Sequence, residues 1–110
     1  MSKNTAQPLH PGEILRRDFM DPCGLSANAL AKALAVSPPR INDILLKRRG
    51  VTSDTALRLA RYFGGDPRDW LLLQVEFDVH VAEVAAGKTI EREVTPRPVP
   101  MGNASRRSGR

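Results

Sequence analysis

At 110 residues the chain has the length of one domain, enough to bury a modest core and too short for an enzyme with separate substrate and cofactor domains. Its net charge of +5 favours a polyanionic partner, and its single cysteine, Cys23, excludes an internal disulfide and cannot by itself make a zinc site. The opening MSKNTAQPLHPGE holds no apolar run suited to a signal peptide, and no later stretch approaches the roughly 20 apolar residues of a membrane span, so the expectation is a cytoplasmic protein with no membrane partner.

Residues 1–9 are polar and unpatterned and read as a flexible arm. In HPGEILRRDFM, Pro11 suits a first helical turn, Glu13 lies near the positive end of the helix dipole, and Ile14, Leu15 and Phe19 are buried candidates. DPCG then stops the helix. Ser26 caps SANALAKAL, in which Leu30 and Leu34 lie one turn apart. A third helix has Ser37 at its N-cap and Pro38 at its first position, with Ile41, Ile44 and Leu45 as its apolar stripe. In VTSDTALRLARYFGG, Thr52 or Ser53 caps a fourth helix whose apolar face is Ala56, Leu57, Ala60 and Phe63. Asp66 and Pro67 open a fifth, DPRDWLLLQVEFDVHVAEVAAG.

That fifth helix carries more apolar surface than one partner needs. Trp70, Leu73, Phe77 and Val81 form one stripe, and Leu71, Leu72, Val75 and Val79 spread over neighbouring faces. One stripe closes the core, and a second, exposed, would be an association surface for a homodimer. Trp70, Leu72, Leu73, Val75, Phe77 and Val79 are the interface candidates. Past Gly87, the alternation at Ile90 and Val94 allows a short strand near 89–95, and a Pro-, Ser-, Gly- and Arg-containing tail reads as disordered after about 96. The expected organisation is an arm over 1–9, a domain over 10–87 and an extension over 88–110.

Two short helices joined by a tight turn describe a helix-turn-helix, with small Ala31 at the crossing, Ala35 in the turn and Ile41 as the buried pin. In such a unit the second helix enters the DNA major groove with its N-terminal turn. Ser26 and Asn28 could then bind phosphate, aided by free N–H groups at the start of the first helix. Arg40 can read guanine and Asn42 adenine by paired hydrogen bonds, while Ser37 and Pro39 offer single-bond or apolar contacts. Lys47, Arg48 and Arg49 suit flanking phosphates, although a solvated cationic loop has the same composition. His10 and His80 lack a ligand-spaced companion and read as structural. With no catalytic motif, phosphate loop or metal cluster, the expectation is a protein without enzyme activity, metal or cofactor.

HPGEILRRDFMDPCGLSANALAKALAV, PPRINDILLKRRGVTSDTALRLARYFG, DPRDWLLLQVEFDV and IEREVTPR together make the chain, from His10 to about Arg97, resemble the HigA-type antitoxins, HigA/VapI-like members of the XRE helix-turn-helix regulators. The resemblance implies an all-α, five-helix, lambda-repressor-like domain. It also implies a dimer that binds double-stranded operator DNA, represses its own operon and neutralises a cognate HigB toxin, a RelE-like mRNA endoribonuclease. The alternative is a solitary XRE-family regulator without a toxin. Ala27 stands where such proteins often carry glutamine, and the Arg-rich tail after Pro98 lies past the matched region.

Overall fold

The computed structural model describes residues 7–98; residues 1–6 of the expected arm and 99–110 of the expected tail lie outside them. The described residues form an all-α fold of five helices: α1 (Pro11–Ile14), α2 (Ala27–Leu34), α3 (Pro38–Leu45), α4 (Ser53–Phe63) and α5 (Pro67–Glu93). Helix α1 runs on as a π-helical segment, Leu15–Met20, and a 3-10 turn, Asp21–Cys23. Bonding five residues apart aligns Leu15 with Met20, so both enter the core. A plain α-helical spacing finds the first and misses the second. Pro22, which has no N–H, and Gly24, in the left-handed region, end the segment.

The caps are local chemistry. His10 Nδ1 accepts from the N–H of Gly12 at 2.9 Å, Ser26 Oγ from Ala29, Thr52 Oγ1 from Thr55 and an Asp66 carboxylate oxygen from Arg68. Each satisfies one of the N–H groups that a helix start leaves unpaired. Ser37 holds the cap position of α3 but its side chain makes no capping bond.

Leu15, Met20, Leu30, Ala31, Leu34, Ile41, Ile44, Val51, Ala56, Leu59 and Trp70 make one buried cluster. Phe19 stacks at a tilt on both Trp70 (5.0 Å) and Phe63 (5.1 Å), joining the π segment to α4 and α5. Gly12 lets α1 lie on α3, because a Cβ there would collide with the carbonyl oxygen of Ile44. On α4 the buried stripe is Ala56, Leu59, Ala60 with half-buried Phe63; Leu57, expected on that face, is 60 % exposed because it lies about 100° around the helix from Ala56.

No strand forms among the described residues. Where a strand near 89–95 was expected, α5 continues through Glu93, and Gly87, expected as a boundary, lies within the helix. Ile90 and Val94 alternate for too short a run to recruit a partner strand, whereas extending α5 satisfies each backbone N–H within the segment. The described residues measure 55 × 29 × 28 Å, their length set by α5, which spans about 40 Å. The first half of α5 packs on α4 and α1, and residues 81–85 and 88–93 are exposed.

Candidate nucleic-acid interface

The turn between α2 and α3 is built without glycine. Ala35 adopts φ 59°, ψ 45°, and its N–H reaches the carbonyl of Lys32 while that of Val36 reaches Ala31. These two bonds form a Schellman motif with alanine in the left-handed position. Helix α3 ends in the same way. Lys47 has φ 65°, its N–H bonds Ile44, and that of Arg48 bonds Asp43. The buried faces of α2 and α3 meet through Leu30, Ala31, Leu34, Ile41 and Ile44, with Ala31 small enough for close crossing.

This packing fixes what α3 turns outward. Ser37, Pro39 and Asn42 are exposed, while Ile41 and Ile44 are fully buried. Pro38 and Pro39 remove two N–H groups from the start of α3, so that helix end has little to offer an anion through its backbone. The start of α2 is different: Ser26 and Asn28 are exposed, and the N–H groups of Ala27 and Asn28 precede the one that Ser26 caps.

Arg40, expected to point away from the apolar stripe of α3, reaches across to α4. Its Nη1 donates to Asp54 Oδ2 at 2.7 Å and to Thr55 Oγ1 at 3.5 Å, and its side chain is 31 % exposed. The same Asp54 oxygen accepts from Arg58 Nε at 2.8 Å, and Arg58 Nη1 donates to the carbonyls of Leu34 (2.9 Å) and Ala35 (3.4 Å). Arg58 first, then Arg40, holds the Asp54 carboxyl below its ordinary range. Sequence spacing alone does not mark Asp54, Thr55 and Arg58 as site residues. Asp54 and Arg58 stand one turn apart, which signals an ion pair, but nothing local says that Arg40 joins it.

The basic run lies on the turn after α3. Lys47 Nζ is 3.3 Å from Glu13, and Arg48 and Arg49 share Asp43 at 3.8 and 3.9 Å. Pairs of exposed cations with partly buried carboxylates, two of them beyond hydrogen-bond distance, contribute little and release readily to a stronger anion. Gln74 on α5 braces the same loop: its Oε1 accepts from the N–H of Val51 at 2.8 Å, and its Nε2 donates to Asp78.

Of the association residues, Trp70 is 5 % exposed within a single chain and packs in the core cluster. Leu73 is half-buried against the core, and Phe77 lies edge-on to His10 with ring centroids 4.9 Å apart. Leu72, Val75 and Val79 are 59 %, 52 % and 49 % exposed and fall on one face of α5. Among the described residues there is no metal-binding group of side chains and no helix long and apolar enough to cross a membrane.

A helix-turn-helix family matches residues 17–70. Virulence-associated protein I of Dichelobacter nodosus is 59% identical over 81 residues, covering 74% of this chain and 75% of that protein. The solved structure of Pseudomonas aeruginosa antitoxin HigA with higBA promoter superposes with a TM-score of 0.80 at 46% identity, covering 84% of this chain and 100% of that one. Antitoxin GraA in complex with its operator gives 0.80 at 44% identity, covering 90% and 100%.

Proposed function

Because the chain belongs to the HigA-type antitoxins of the XRE helix-turn-helix family, we propose that it binds its own operator as a homodimer, represses the operon and neutralises a RelE-like endoribonuclease toxin. The observation that carries this reading is the outward face of α3, Ser37, Pro39 and Asn42, on a chain that superposes on two antitoxin structures bound to promoter or operator DNA.

In this reading α3 enters the major groove by its N-terminal turn. Asn42 pairs with the N6 and N7 edge of an adenine, and Ser37 and Pro39 meet a neighbouring base or its methyl group. Ser26, Asn28 and the free N–H groups of α2 take one phosphate, and Lys47, Arg48 and Arg49 exchange Glu13 and Asp43 for others. Dimerisation through Leu72, Val75 and Val79 on α5 presents two copies of α3 to successive grooves, so the operator is an inverted repeat with half-sites about one helical turn apart.

A mobility shift with the promoter upstream of the gene tests the DNA half: binding at a salt concentration where scrambled DNA is released supports it, and equal affinity for both refutes it. Co-purification with the product of the adjacent gene tests the toxin half. A chain that reads its operator and captures no neighbouring gene product is a solitary regulator.

A further inference from the structure

We infer that Asp54 is a positioning residue for base recognition: it contacts no base, yet it holds Arg40 by one nitrogen so that the opposite edge of the guanidinium faces a guanine. The inference rests on the proposed entry of α3 into the major groove and adds a residue of α4 to what decides the sequence read.

The geometry is specific. Arg40 commits only Nη1 to Asp54 and Thr55; among the described residues its Nε and Nη2 make no hydrogen bond. A guanidinium reads guanine through two adjacent N–H groups aimed at O6 and N7, and the Nε–Nη2 edge supplies such a pair. An arginine on a flexible stem must lose side-chain entropy to present that edge, and a carboxylate gripping its far nitrogen removes much of this cost in advance.

Asp54 is itself fixed. The oxygen that holds Arg40 also holds Arg58, and Arg58 is tied to the carbonyls at the end of α2. The chain of contacts therefore runs from the turn through Arg58 and Asp54 to Arg40, and sets the side chain against the same frame that sets α3. Arg40, Arg49, Thr52, Asp54, Thr55 and Arg58 line one open cleft, in which Asp54 is the lone carboxylate among three guanidinium groups. Without its charge, Arg40 would be repelled by Arg58 and drawn to whichever phosphate lies nearest, a contact that carries no sequence information.

The test measures affinities of the wild type, Arg40→Ala, Asp54→Asn and Asp54→Glu for the operator, for single base-pair variants across one half-site and for scrambled DNA. Arg40→Ala should lose discrimination at one base pair. Asp54→Asn should lose discrimination at that same pair, on the order of tenfold, and nowhere else. Its affinity for scrambled DNA should not fall, since a negative charge has been removed. Asp54→Glu, which keeps the carboxylate, should retain the discrimination, and Asp54→Asn combined with Arg40→Ala should match Arg40→Ala alone. An unchanged profile for Asp54→Asn, or an equal loss at every position, overturns the inference. If Arg40→Ala leaves the profile flat while the operator is still preferred to scrambled DNA, the positioning role fails and the operator reading stands. If the wild type itself does not prefer the operator, both fail.

Discussion

Individual side chains on the α2–α3 unit divide into those that face outward and those that are packed in the core. Asn42 is exposed and its neighbours Ile41 and Ile44 are locked in the core, so its direction is set by packing. Asn42→Ala should cost about 1–3 kcal/mol on the operator and relax preference at a single base position, measured by titration of operator variants. Arg48, 68 % exposed and only loosely paired, should behave differently. Arg48→Ala should weaken all DNA sequences alike and reduce the slope of log affinity against log salt by about one. His10 acts at the same scale on stability. Burial first, and the charge of Lys47 second, push its imidazole below the ordinary 6.5, against an opposing pull from Asp78. Its Nδ1 must stay unprotonated to accept from Gly12. The unfolded chain takes up this proton as pH falls through 6.5 and the folded chain only lower, so the contribution of the neutral ring is complete above 6.5 and lost progressively below it. Melting temperatures on either side of 6.5 should show that fall, and His10→Asn, which keeps an acceptor and does not titrate, should flatten it. The carboxyls of Asp18, Asp54 and Asp66, held low by their arginine and backbone partners, are lost as stabilisers only below 3.8 and leave this window clear.

The helices show how far periodicity carries. Ser26, Thr52 and Asp66 cap as their positions imply, and Ile41 and Ile44 of α3 are buried as spaced. Periodicity fails where the helix changes type or where two stripes compete. Met20 reaches the core only because Leu15–Met20 is π-helical, and Leu59, not Leu57, faces inward because the neighbours of α4 select one of two adjacent leucine faces. The turn after α2 is strained by its sequence: Ala35 bears a left-handed conformation that glycine would adopt freely. Ala35→Gly should therefore raise stability by about 1 kcal/mol in urea denaturation, without altering the operator bases preferred.

For the molecule as a whole, the question is what covers α5. Its inner face is spent on Trp70, Leu73 and Phe77, leaving Leu72, Val75 and Val79 as an exposed apolar row, with Ile90 further along the same face. Val75→Glu should leave the melting of the domain nearly unchanged while sedimentation shifts from dimer to monomer and operator affinity falls. A variant that sediments as the wild type would exclude this row as the interface. The sequence by itself determined the all-α class, the order of the helices, most of their caps and the outward Asn42, because these depend on spacing and chemistry within a few residues. Only the tertiary structure decided that Trp70 closes a core, that α5 continues past Gly87 and that Arg40 is gripped by Asp54. Each of these is settled by what a segment meets from elsewhere in the chain, or by the lack of a strand to meet, and that information lies in packing rather than in local pattern.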